Sequence, residues 1–215
     1  MQIMRKSWKV TVIVILSLLT DQATQAQLVG YPQHYNVGAI VLSDGTQLRG
    51  TIMLYPATGV VQVEMANDTV YTYPAHVVNC VAVEEEQERI RADKLVSTLR
   101  VFRPYHVVSK STLQSTWAFF EQISDGPIVL LRYQRPSPIF TGSMVRMSSL
   151  DNFFLASGTN NVLPLKSPRK DLLAFFKHQA ARIEQYVKEN DLRYTNAREL
   201  AFIVNYANSL ATLQP

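Results

Sequence analysis

VGAIVLSDGTQLRGTIMLY, residues 37–55, decides how the N-terminal half is read. Asp44-Gly45 sits between two alternating, β-branched runs. This is a strong short-range hairpin signal, because glycine reaches positive φ without steric cost. A two-residue turn sets Val41 against Leu48, Ala39 against Gly50 and Val37 against Ile52. Positions 37, 39, 41, 48, 50 and 52 then make one apolar or small face. Leu42, Ile40, Gln47 and Arg49 make a mixed one. Gly50 permits a close approach or a bend. The spacing is not G-x-G-x-x-G and no helix follows, so these glycines read as scaffold rather than as a phosphate cradle.

Upstream, MQIMRKSWK carries Arg5, Lys6 and Lys9, the apolar run Val10 to Leu19 follows, and TDQATQAQ closes the segment. That order predicts a secretory signal peptide over residues 1–26, cut after Ala26. The run is too short for the ~20 apolar residues of a membrane helix, so no transmembrane span is expected in the mature chain. The whole chain has 21 basic and 17 acidic residues. Removing Arg5, Lys6, Lys9 and Asp21 leaves 18 against 16, a net charge of +2. A chain so near neutrality gives no reason to expect nucleic acid. The 189 mature residues are rich enough in apolar types for a sizeable core. The lone Cys80 cannot form an internal disulfide and, within the apolar run HVVNCVAV, reads as a buried thiol.

Downstream, VVQVEM and TVYTY flank Asn67-Asp68, which predicts a second hairpin with Val63 and Met65 on the face of Val70 and Thr72. HVVNCVAV makes a fifth strand. Five short strands over 27–83 predict a curled antiparallel sheet or a small SH3-like barrel. EEEQERIRADK, residues 84–94, reads as a charged loop or short exposed helix separating two parts. Residues 95–166 form a second β region. There WAFFEQISDGPIVLLRY predicts a hairpin with Ile123 against Ile128, a short helix over 116–124 being the rival reading. NFFLAS and NVLPLK flank Gly158-Thr159-Asn160 in another hairpin. Over 167–215 the period changes to that of helices. Ser167, Pro168 and Asp171 predict a start, and the stripe Leu172, Phe176, Ala180, Ile183, Val187 predicts one helix to about Asn190. Asn196 and Glu199 form a capping-box pattern for a second helix with Leu200, Ile203, Val204, Ala207 and Leu210 inward. The fold class expected is α+β, with a two-helix hairpin packed on the sheet.

GAIVLSDGTQLRGTI, WAFFEQISDGPIVLLRY, the stretch from NFFLAS through NVLPLKSPRKDLLAFFKHQAARIEQYVKENDL, and ARELAFIVNYANSL resemble successive blocks of a group of uncharacterised secreted proteins from Bacteroidota. The resemblance covers nearly all of the mature chain and rests mostly on turn and core patterns. Ala207 departs from it, where that group often has a second aromatic. The resemblance implies export and an envelope location. It brings no activity and no catalytic residues.

Chemistry is sparse. His34, His76, His106 and His178 form no metal-binding spacing, and His76 and Cys80 are too far apart along a strand to share a metal. There is no G-x-S-x-G. Glu84, Glu85, Glu86 and Glu88 read as a solvated run. No metal or cofactor is expected. Trp117, Phe119, Phe120 and Tyr133 are the candidate aromatic binding surface, for sugar rings, with core packing as the bland reading. Lys166, Arg169 and Lys170 at a helix start read as solvated charges rather than an anion site. The function expected is a non-enzymatic binding or structural component of the bacterial cell envelope, periplasmic or outside and associated with the outer membrane. An envelope protein or glycan would be the partner. A hydrolase of unfamiliar type acting on envelope glycan or peptide is the alternative, as is a carrier of an apolar ligand.

Overall fold

A computed structural model describes residues 32–87, 96–108, 115–141 and 144–212. The expected signal peptide and residues 88–94 of the charged stretch lie outside the described residues. Among the described residues ten strands form one antiparallel sheet: β1 (Gln33–Leu42), β2 (Gln47–Tyr55), β3 (Val60–Glu64), β4 (Val70–Pro74), β5 (Val78–Gln87), β6 (Val96–Val108), β7 (Ser115–Gln122), β8 (Ile128–Thr141), β9 (Met144–Ser157) and β10 (Asn161–Leu165). The order is β10-β9-β8-β7-β6-β5-β1-β2-β3-β4, so β4 and β10 are the edges. Three helices follow: α1 (Pro168–Phe175), α2 (Ala180–Glu189) and α3 (Ala197–Thr212). No helix among the described residues is long and apolar enough to cross a membrane.

The α+β class and the antiparallel sheet agree with the sequence reading; the SH3-like barrel does not. β5 pairs with β1 on one side and with β6 on the other, so the sheet runs on instead of closing. It still bends strongly, because the Phe119 N–H on β7 donates to the Pro56 carbonyl beyond β2 at 3.1 Å. Glu84 to Gln87, expected in a loop, belong to β5 and pair with β6.

The first two hairpins each hold one residue more in the turn than expected. The Leu42 N–H donates to the Thr46 carbonyl at 2.8 Å and the Gly45 N–H to the Leu42 carbonyl at 3.0 Å. Ser43, Asp44 and Gly45 are therefore a three-residue loop, with Gly45 at φ +89° in the left-handed position that such loops require. Asp44 accepts the Thr46 N–H at 2.8 Å, a bond that holds its carboxyl below the usual range. Asp68, at φ 61°, plays the part of Gly45 in the second hairpin, where the Met65 N–H donates to the Thr69 carbonyl.

The extra residue shifts each register by one. Ile40, not Val41, lies opposite Leu48, and Gly38, not Ala39, lies opposite Gly50. In the second hairpin Val63 faces Tyr71 rather than Thr72. Leu48, Gly50 and Ile52 thus share the inner face with Ile40, while Ala39 and Val41 turn outward and Val37 is 56% exposed. A Cβ on Gly50 would run into the Glu64 carbonyl of β3, so this glycine serves a close strand approach. Cys80 sits opposite outward-facing Val41 and is half-buried rather than buried.

Two apolar clusters fill the inner face. Ile40, Ile52, Leu54, Val61, Val63, Val81, Val83, Phe102 and Phe119 fill the bend of the N-terminal strands. Leu130, Phe153, Leu155 and Leu165 pack under Leu172, Ile183, Leu200, Ile203 and Val204 of the helices. A third cluster, with Tyr105, Phe120 and Leu131, lies on the opposite face.

Residues 116–122 are strand, which settles the helix-or-strand alternative there. The β7–β8 turn is wider than expected: the Ile123 N–H donates to the Leu130 carbonyl rather than Ile123 facing Ile128. Two asparagines of α3 close it. Asn208 donates to the Asp125 and Ile128 carbonyls at 2.9 and 2.7 Å and accepts the Ile128 N–H at 3.2 Å. Asn205 accepts the Asp125 N–H at 3.2 Å.

The long helix expected from 168 to 190 is two helices. The chain leaves the helix after Phe175 and the Gln179 N–H closes back on the Phe176 carbonyl at 2.7 Å. Leu172, Phe176 and Ile183 remain buried, so the apolar stripe survives the break. At α3, Asn196 accepts the Glu199 N–H as expected, but Glu199 turns to the Arg193 guanidinium and N–H instead of completing the capping box.

Candidate functional site

Three apolar strands each carry one charged residue on the inner face: Arg100 in TLRVF of β6, Glu121 in FFEQ of β7 and Arg132 in LLRY of β8. Pairing sets Glu121 directly opposite Arg132, with Phe102 on its other side. The period of two then brings all three side chains together between the two inner-face apolar clusters.

Glu121 is gripped by both guanidiniums. Arg100 donates from Nε at 3.0 Å and from Nη2 at 2.7 Å. Arg132 donates from Nε at 2.8 Å and from Nη2 at 2.9 Å. Two fork-shaped pairs on one carboxylate give strength and fixed geometry. Arg100 and Glu121 are 6% and 5% exposed. Arg100 also donates to Glu85 at 3.0 Å and to Gln134 at 2.8 Å, and Gln134 donates to Asp151 at 3.1 Å. Burial draws the Arg100 guanidinium down, but the bonded Glu121 more than offsets this and holds it above the ordinary arginine range. The guanidinium also lies 5.1 Å from the centre of the Phe102 ring and 5.9 Å from that of Tyr35. Burial pushes the Tyr35 phenol up to about 12, against the opposing pull of Arg100.

This cluster floors a groove of about 610 Å³ between β6, the end of β7 and helix α3. That volume is typical of a small-ligand site. Leu99 and Phe202, 67% and 44% exposed, lie along it, and the Arg198 guanidinium lies 5.7 Å from the Phe202 ring centre. Four arginines, at 100, 103, 132 and 198, line it against Glu85, Glu121 and Asp125. Because both oxygens of Glu121 are held by arginines, the floor has a fixed shape and a fixed charge pattern.

The residues singled out in the sequence lie elsewhere. Strand alternation puts Phe119 in the inner core with Trp117 packed at its margin, while Phe120 and Tyr133 pack on the opposite face, their ring centres 5.5 Å apart. The four do not meet in one surface. Arg169 is paired with Glu184 at 2.6 Å, and Asp171 accepts the Ser167 N–H at 2.7 Å. The start of α1 is thus supplied with its own carboxylates. Of the acidic run, Glu85 turns inward to Arg100. Among the described residues no three His, Cys, Asp or Glu side chains are grouped to hold a metal. The sequence signal missed was a single charge inside each of three apolar strands.

The fold and groove define an α+β protein with an open ten-stranded sheet and an arginine-rich groove. No family model, curated protein or solved structure matches the chain.

Proposed function

We propose that this chain is an exported, non-enzymatic binding component of the cell envelope, and that the groove beside α3 is its binding site. One observation carries the reading: a groove of ligand size has a floor in which the buried carboxylate is already saturated by two arginines. Such a floor recognises and orients. Four N–H bonds hold the Glu121 carboxylate in one orientation, and through it both guanidiniums. The N-terminal order of basic, apolar and small polar residues supports export.

The test is a photo-crosslinking amino acid placed at Phe202 in the groove and, separately, at Phe175, which is exposed on α1. In cells, position 202 should capture one envelope component and position 175 should not, with a mature N-terminus near Gln27 by mass spectrometry. An intact Met1 in the cytoplasm, or the same adducts from both positions, would refute the reading.

A further inference from the structure

β6 pairs with β5 through residues 96–102 but with β7 only from Val101 onward. On the side away from β5, residues 96–100 therefore have no strand partner among the described residues. Thr98, Leu99 and Arg100 of this stretch line the groove, which α3 bounds with Arg198 and Phe202. An unpaired strand edge presents backbone N–H and C=O groups in a repeating row, and a polypeptide is the ligand that matches it. Sheet edges that avoid pairing carry proline, lysine, a bulge or an inward-pointing charge. VSTLR, residues 96–100, has neither proline nor lysine, its one inward charge, Arg100, is already bonded to Glu121 within the floor, and its pairing with β5 runs without a register shift.

We propose that the open edge of β6 takes an extended acidic polypeptide segment as an added strand. The inference rests on reading the groove as a binding site. Alternate side chains of the added strand would face opposite ways. Those on the helix side meet Arg198, which is exposed and has no carboxylate partner among the described residues. Those on the other side lie beside the exposed Leu99, which continues a cross-strand row with Glu84 and Val37. The groove carries four arginines against three carboxylates, so the charged side chains it favours are acidic and the intervening ones apolar.

The probe is a fluorescein-labelled nonapeptide of alternating valine and glutamate, titrated with the purified protein and read by anisotropy. Saturable binding is expected, at least tenfold tighter than for a valine–lysine nonapeptide. Consecutive N–H groups of a strand point to opposite edges, so only one edge of the peptide can pair with β6. N-methylation of all valines or of all glutamates should therefore abolish binding in one case and spare it in the other. Arg198→Glu should reverse the preference between the two peptides while leaving the urea midpoint unchanged. Absence of saturable binding, equal binding of both methylated forms, or an unchanged preference in Arg198→Glu would each overturn the proposal. If the peptides fail while crosslinking from position 202 still captures an envelope component, the groove remains a binding site and strand addition falls. If both fail, so does the functional reading.

Discussion

Glu121→Gln is the sharpest test of the polar floor. The substitution keeps the shape of the side chain and removes its charge. It leaves Arg100, 6% exposed, and Arg132, 20% exposed, without the carboxylate that takes four of their N–H bonds. The new amide would also point N–H groups at a guanidinium. Removing one partner from a buried ion pair costs about 3–5 kcal/mol, and the upper part of that range applies to a carboxylate shared by two arginines. Glu85→Gln is the internal control. Glu85 is 38% exposed and makes one contact with Arg100, so screening limits the loss to about 0–1 kcal/mol. Urea unfolding of a chain that begins at Gln27, followed by the fluorescence of Trp117, compares them; Trp117 is the only tryptophan after the expected cleavage site. In thermal unfolding the Glu121 variant should melt about 8–20 °C lower, at roughly 2–4 °C per kcal/mol for a chain of this size. Replacing Arg100, Glu121 and Arg132 together by methionine should cost less than Glu121→Gln alone, because no buried charge is left uncompensated. A Glu121→Gln loss below about 1 kcal/mol, or one equal to that of Glu85→Gln, would refute the account of the floor.

Gly45→Ala should cost about 1–2 kcal/mol through positive φ alone, since its added Cβ meets nothing within 4 Å; Gly50→Ala, driven into the Glu64 carbonyl, should cost about 3 kcal/mol, both read by urea midpoint. Asn208→Ala should cost about 2–4 kcal/mol, because three backbone groups of the β7–β8 turn lose their partner, and hydrogen exchange at Ile128 should accelerate. The raised Tyr35 pKa contributes stability that is fully present below the unfolded value near 10 and is lost as pH rises through about 12. Alkaline denaturation followed at a tyrosinate wavelength should therefore steepen over that window, and Tyr35→Phe should flatten it. Half-buried Cys80 should react with a thiol reagent in the folded protein, several-fold more slowly than in urea; complete protection would contradict its outward placement.

The element types were legible because each rests on local pattern: β-branched alternation with turn residues between, then a change of period at Ser167. Register was not, because it turned on the length of two turns. Asp44-Gly45 satisfies a two-residue loop and a three-residue loop equally well in sequence, and the longer one carried Val37, Ala39 and Val41 to the outer face. The break at Phe176 to Gln179 has no glycine or proline to announce it, and burial of Phe176 and Ile183 holds on both sides of it. The groove floor was invisible for a different reason. Arg100 and Glu121 are 21 residues apart and Glu121 and Arg132 are 11 apart, so only the strand order brings them together. What the sequence does display is an arginine or glutamate standing alone in TLRVF, FFEQ and LLRY, positions where an unpaired charge would be prohibitive. Three such strands call for one another.

The asparagine closure of the β7–β8 turn bears on the order of assembly. The turn at Asp125 to Ile128 is completed by side chains that follow it by 80 residues. At a synthesis rate of about 5–20 residues per second, that interval is roughly 4–16 s. During it β7 and β8 are available, yet their joining segment has backbone donors and acceptors without partners, and the inner faces of β8 and β9 lack their helical cover. The N-terminal strands, closed by short hairpins, have no such wait. Folding should thus be split in time, with an early N-terminal sheet and a late step in which α3 seats. That step finishes the wall of the groove, so on the growing chain the groove is complete only after Asn208 has emerged.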